Sequence, residues 1–222
     1  MKQQPLDAQD LTLLFEYGLG DLDFNHGLKL SFSPGEFLLH AGEPMEHIYF
    51  VISGKAKVLL SLSDGKQLLL SYFLSKGIIG DVELVTGAQA ASTTMQAVTE
   101  FTCIALPLRI YAQTLKHNSV FLNIIARELA EKLMERSING TITTLQPLNA
   151  RLCAYITQSA NRGIFRETLT EVAALLGTSY RHLLRSLDQL CSEGTLQKEA
   201  RGYRITNPQA LEQKAGDFYL LK

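Results

Sequence analysis

Nowhere does this chain carry an apolar run near the roughly twenty residues that a membrane-crossing helix needs, so a spanning segment is not expected. Its first residues, Met1-Lys2-Gln3-Gln4-Pro5, lack the apolar centre of a secretory signal, which points to the cytoplasm. Cysteine is scarce: Cys103, Cys153 and Cys191 form no Cys-x-x-Cys pair, which argues against a zinc ribbon or a disulfide framework and suits three buried small hydrophobes. The N-terminus has no cysteine cluster for iron and sulfur. No two histidines fall within four residues of each other, so the paired ligands of a metal-dependent jelly-roll enzyme are unsupported. A Gly-x-Ser-x-Gly elbow, a phosphate loop, internal repeats and low-complexity tracts are missing too. Catalysis is therefore not expected, and no cofactor is predicted.

What is present is a globular composition. In 222 residues, 46% are hydrophobic and 19% charged, enough apolar surface for one or two packed domains. The net charge of −1 hides an asymmetry: 11 Lys and Arg stand against 15 Asp and Glu up to Gln146, and 10 against 7 from Pro147 onward. The C-terminal third is the better candidate for meeting a polyanion.

Within that third, residues 168–190 read as two short helices and a tight turn. Thr170 precedes the apolar set Val172, Ala173, Leu175 and Leu176 and is placed to cap the first helix. Gly177 suits the turn. Ser179 is placed to cap a second helix whose apolar side is Leu183, Leu187 and Leu190, leaving Tyr180, Arg181, Arg185 and Gln189 on the other side. Small Ala173 lets the helices cross closely. The pattern is that of a DNA-reading helix-turn-helix, although an ordinary helical hairpin with a solvated basic face would share it. Beyond Glu193-Gly194, the segments Leu196-Gln197-Lys198 and Gly202-Tyr203-Arg204-Ile205 read as a small hairpin, with Lys198, Arg201 and Arg204 suited to phosphates. A last helix is expected from Gln209 to about Lys214.

Earlier in the chain, a leading helix is expected between Asp10 and Gly27. From Leu28 to Leu106, short runs rich in Ile, Val, Phe and Tyr alternate with turn residues, the texture of a sandwich or jelly roll. Asp64-Gly65 is a hairpin-turn signal. From Asn118 to Leu145 there is no proline and one glycine; such a helix is about 42 Å long. Leu122, Ala126, Leu129 and Leu133 form a stripe continued by Met134, Ile138, Ile142 and Leu145. The expectation is that this stripe pairs with a second copy, the alternative being that it packs wholly on the β domain.

The ordered set Pro34-Gly35-Glu36, Gly42-Glu43, Ile48 to Gly54 with Lys57-Val58, Ile79-Gly80-Asp81 and Glu171 to Arg185 resembles the Crp/Fnr family of bacterial transcription regulators across nearly the whole chain. The run Ser179 to Leu184 is most similar to the YeiL branch. The resemblance implies an α+β chain: an N-terminal cyclic-nucleotide-binding-like β-roll (jelly roll) over 1–117, a dimerisation helix over 118–146, and a C-terminal winged helix-turn-helix over 147–222. It implies a homodimer on a palindromic double-stranded DNA operator, with RNA polymerase as a further partner and no membrane. Base-reading positions fall on Tyr180, Arg181 and Arg185 after the cap Ser179, with Lys198 and Arg204 in the wing. Arg185 keeps the type that grips guanine bidentately, while Tyr180 and Arg181 depart from the best-known members.

The same resemblance locates the effector pocket at Gly80, Asp81, Ser92, Arg136 and Ser137. In cyclic-nucleotide-binding members a Gly-Glu pair holds the ribose and an Arg-Ser pair the cyclic phosphate. Here these fall on Gly80-Asp81 and Ala91-Ser92, so the arginine is missing, and the purine-contacting Thr-Ser becomes Arg136-Ser137. Each charge-assisted hydrogen bond contributes about 1.5–3 kcal/mol, and a guanidinium makes two. Binding of cyclic AMP in the usual way is therefore not expected. The effector is left unknown, between a different small ligand, a redox signal and a permanently active dimer; for haem, His26, His40, His47 and His117 are candidate axial ligands by type alone.

Overall fold

Strands dominate the first half of the chain, where short runs rich in β-branched and aromatic residues are broken by turn residues, and helices take over after Pro107. In a computed structural model, residues 1–61 and 67–216 are described, with side chains outside 60–74 and 135–145. The chain divides into two units, Met1–Leu60 with Phe73–Met134, and Ser61–Tyr72 with Glu135–Lys222.

The first elements are β1 (Lys2–Pro5), α1 (Ala8–Glu16), β2 (Leu28–Phe32), β3 (Phe37–Leu39), β4 (His47–Ser53), β5 (Ala56–Ser61), β6 (Gln67–Leu74), β7 (Ile78–Ile79), α2 (Asp81–Thr86), β8 (Thr94–Ala97), β9 (Phe101–Pro107), α3 (Leu108–His117) and α4 (Ser119–Leu145). The strands form a five-stranded sheet ordered β1-β2-β9-β4-β7 and a four-stranded sheet ordered β3-β8-β5-β6. The unbroken apolar run in β4 is explained by burial on both faces. Ile48 and Phe50, with Ile104 and Leu106 of β9, pack on Leu14 of α1, Leu115 of α3 and Phe121 and Ile125 of α4. Strand alternation turns Tyr49 and Val51, also buried, to the opposite face.

The leading helix is shorter than expected. Asp7 caps α1, accepting from the backbone N–H groups of Gln9 and Asp10, and Tyr17 ends it; two glycines at 18 and 20 make continuation unfavourable. Strand β1, paired with β2, has no apolar alternation to betray it. The expected Asp64-Gly65 turn lies outside the described residues.

Helix α4 begins where the Asn118 side chain accepts from the Phe121 N–H at 3.0 Å. Its buried positions differ from the stripe read in the sequence: Phe121 and Ile125 are in the core, Leu129 is partly buried against it, and Ala126 is exposed. Leu133 and Met134 are 66% and 65% exposed. Ile138, Ile142 and Leu145 fall outside the described side chains. Two polar residues one turn apart fix this helix to β7. Glu128 accepts from the Ile78 N–H at 3.1 Å, and Lys132 donates to the Ile78 carbonyl at 2.7 Å.

The second unit comprises α5 (Leu148–Ser159), β10 (Ile164–Phe165), α6 (Leu169–Leu175), α7 (Tyr180–Ser192), β11 (Leu196–Glu199), β12 (Gly202–Ile205) and α8 (Pro208–Ala215). Its strands form a sheet ordered β10-β12-β11. Its core includes Leu152, Tyr155, Phe165, Val172, Leu183, Leu187, Leu190 and Leu211, all at most 1% exposed. Asn207 caps α8 through the Ala210 N–H, and Arg151 donates to the Leu176 carbonyl at the end of α6 at 2.7 Å, where a cation suits the helix dipole.

Candidate functional site

Helices α6 and α7 are joined by a four-residue turn. The cap of α6 is Thr168, whose side chain makes no capping hydrogen bond; Thr170, expected in that role, lies inside the helix, one turn before the buried Ala173. At Gly177 the backbone takes φ 61°, a left-handed conformation that favours glycine. The Gly177 and Thr178 N–H groups then reach back to the Ala174 and Ala173 carbonyls at 3.1 and 2.9 Å. Ser179 caps α7 by accepting from the His182 N–H at 3.2 Å, as its spacing requires.

Along α7 the sides separate as read in the sequence. Leu183, Leu187 and Leu190 are 0–1% exposed, each contributing up to about 1.5–3 kcal/mol by burial. Tyr180 is 47% exposed, and Arg181 and Arg185 are exposed. Gln189, expected to share that face, is exposed as well, and its side chain is engaged by Glu193 at 2.8 Å and Asn149 at 3.3 Å. Asp188, which the sequence reading passed over, is exposed and at 100° per residue lies about 20° from Arg181, on the side away from Arg185; a carboxylate there can accept from a cytosine amino group.

The hairpin β11–β12 pairs Lys198 with Tyr203 and Glu199 with Gly202. Lys198, Arg201 and Arg204 are all exposed. Arg204 is not idle: its Nε holds Glu199 Oε1 at 2.5 Å, a pairing between neighbouring strands that competes with any phosphate.

In the roll, Gly80 caps α2 at φ 89°, and a Cβ there would collide with the Met45 methyl. Asp81 is 4% exposed; its Oδ1 accepts from Val82 and its Oδ2 pairs with Lys132 at 2.7 Å. Ser92 is engaged by Glu83: Oε1 of Glu83 accepts from the Ser92 N–H at 2.8 Å and from its hydroxyl at 2.6 Å. Neither Glu83 nor Lys132 carried a sequence signal for this site. Arg136 and Ser137 fall within α4 but outside the described side chains.

Cys103 and Cys153 are buried, and Cys191, expected to be buried as well, is only half-buried. Burial pushes the thiols of Cys103 and Cys153 up to about 12 and about 11. Half-buried His47 has its imidazole pKa lowered by desolvation. Among the described residues, no group of three or more His, Cys, Asp or Glu side chains is placed to hold a metal, and no helix is long and apolar enough to cross a membrane.

A two-sheet roll with a glycine-capped short helix, followed by a winged helix-turn-helix, defines the class of DNA-binding regulators with a built-in sensor domain. Residues 29–118 match the cyclic nucleotide-binding domain family, and residues 150–214 the Crp-like helix-turn-helix domain. The chain is 30% identical to the regulatory protein YeiL of Escherichia coli O157:H7 over 176 residues, 79% of this chain and 80% of YeiL. It is 28% identical over 100 residues to the cAMP-activated global transcriptional regulator CRP of Pasteurella multocida, covering 45% of this chain and 48% of that protein. A solved regulator from Eubacterium rectale shares its fold, with a TM-score of 0.71 and 16% identity over 95% of each chain. The chain belongs to the Crp/Fnr family of transcriptional regulators. It combines a cyclic-nucleotide-binding-like sensor domain with a helix-turn-helix DNA-binding domain.

Proposed function

We propose that the protein acts as a cytoplasmic, non-catalytic homodimer that binds a palindromic operator and regulates transcription together with RNA polymerase. Residues 1–117 serve as sensor, 118–146 as dimerisation helix and 147–222 as DNA-binding domain. The observation that carries this reading is the two-sided character of α7: three leucines in the core, and Tyr180, Arg181 and Arg185 turned to solvent behind the Ser179 cap. A helix so disposed fits a major groove, its N-terminal residues facing base edges, while Lys198 and Arg204 flank it for phosphates. The exposed Ala126, Ala130 and Met134, spaced four apart on α4, favour pairing with a second copy, since small residues allow close approach.

The sensor does not bind cyclic AMP in the usual way. Its pocket positions Gly80, Asp81 and Ser92 are supported as a pocket by the resemblance, but Asp81 is paired with Lys132 and Ala91 stands where an anion would need a cation. Arg136 and Ser137 complete the proposed pocket. Selection of binding sites from random duplex DNA by the purified protein, with and without cell extract, tests the whole reading. A palindrome with half-sites about 34 Å apart is expected, together with a dimer in sedimentation. A monomer with no sequence preference sinks it. Occupancy that requires extract identifies a missing small ligand.

A further inference from the structure

The effector pocket holds a carboxylate of its own chain. Glu83, in the first turn of α2, is 6% exposed. One of its oxygens receives two donors from a single residue, the Ser92 N–H at 2.8 Å and the Ser92 hydroxyl at 2.6 Å. Convergent backbone and hydroxyl donors on one charged oxygen are how proteins hold carboxylates and phosphates. Arg109 and Lys116 line a groove together with Glu83, yet no ion pair joins either to it among the described residues. The neighbouring acid, Asp81, is already neutralised by Lys132.

The geometry assigns to Glu83 the role of a built-in anion: its carboxylate occupies the donors of Ser92 and closes the roll to phosphate-bearing ligands. This rests on the reading above that Ser92 belongs to the effector pocket. An incoming phosphate would need the same two donors and would meet a fixed negative charge a few ångströms away. At the effective dielectric of a protein site, that repulsion alone removes roughly three orders of magnitude in affinity. The carboxylate also ties α2 to the segment just before β8 without any ligand, so the roll keeps this connection in its empty form.

The test titrates four forms of the full chain by calorimetry: wild type, Glu83→Ala, Ala91→Arg and the double variant. Wild type is expected to bind neither inorganic phosphate nor cyclic AMP. Glu83→Ala should bind phosphate at least tenfold more tightly than wild type. Ala91→Arg alone should stay closed, its guanidinium meeting Glu83, and the double variant should bind cyclic AMP at least a hundredfold more tightly than Ala91→Arg. Should the vacancy weaken the fold, phosphate should raise the thermal midpoint of Glu83→Ala and not that of wild type. Two results overturn the assignment: no gain in phosphate binding or midpoint for Glu83→Ala, or equal cyclic AMP affinity for Ala91→Arg and the double variant. Tight cyclic AMP binding by wild type would instead overturn the reading of the sensor itself.

Discussion

Lys132 reaches Asp81 across the junction between α4 and α2, with Nζ 2.7 Å from Oδ2, and the same ammonium holds the Ile78 carbonyl at 2.7 Å. The Asp81 side chain is 5% exposed and that of Lys132 24%, so water screens the pair only in part. Removing one partner of a fully buried pair costs about 3–5 kcal/mol; with the partial exposure here, Lys132→Met should cost roughly 2–3 kcal/mol and lower the thermal midpoint by roughly 5–10 °C. Adding Asp81→Asn should recover at least half of the loss, because the stranded charge is gone while the Val82 N–H keeps its acceptor. Urea denaturation of the single and double variants measures this, and equal losses in both would show that the pair is not what holds α4 to α2.

A redox role for the cysteines makes a different demand, namely an accessible thiolate. With thiols pushed to about 12 at Cys103 and about 11 at Cys153, very little of either is ionised near neutral pH, on the order of 10⁻⁴ at most. Alkylation of the native protein at pH 7.5 should therefore label Cys191 first and leave Cys103 and Cys153 unmodified until denaturant is added. Mass spectrometry of timed samples reads the order. Fast labelling of Cys103 would reopen the redox alternative.

The reading helix was legible from sequence because its signals are local: a serine cap, leucines at i, i+4 and i+7, and a glycine at the turn all act within a few residues. The cap of α6 was misread because Thr168 and Thr170 are equivalent by residue type, and only the folded backbone tells which one precedes the first turn. The exchange of Phe121 and Ile125 for Leu122 and Ala126 at the core face of α4 has a similar origin. Both pairs keep a four-residue spacing, and the direction in which a helix faces its sheet is set by partners far away in the chain. Glu83 with Ser92, and Lys132 with Asp81, left no trace in spacing at all. The first joins a helix to the segment before a strand and the second joins two helices, and a charged residue on a helix looks the same in sequence whether it meets water or a buried partner.

Arg185 is exposed, and among the described residues no hydrogen bond or ion pair involves its guanidinium, so its removal should leave the fold intact. A bidentate contact to guanine is worth about 1–3 kcal/mol. Arg185→Ala should therefore weaken operator binding by roughly ten- to a hundredfold and relax preference at one base pair in each half-site. Fluorescence anisotropy with a panel of single-base operator variants measures both. Wild-type affinity in the mutant would mean that α7 does not dock through this face.

The wing carries its own restraint. Arg204 and Glu199 are 48% and 27% exposed as a pair, and surface pairs of this kind contribute only about 0–1 kcal/mol to stability. Glu199→Gln should therefore leave the thermal midpoint almost unchanged. On DNA the effect is larger, since the change removes a negative charge from the wing and frees a guanidinium for phosphate. Each added phosphate contact steepens the dependence of log affinity on log salt by about 0.9, so Glu199→Gln should steepen that slope by about one. Binding to operator and random duplex alike should tighten several-fold at low salt. Arg204→Ala and Lys198→Ala should flatten the slope, again without regard to sequence, because phosphate contacts position the protein and do not read bases. A slope unchanged in Glu199→Gln, measured by anisotropy from about 50 to 200 mM salt, would mean that Arg204 faces no phosphate and that Glu199 serves only to join the two wing strands.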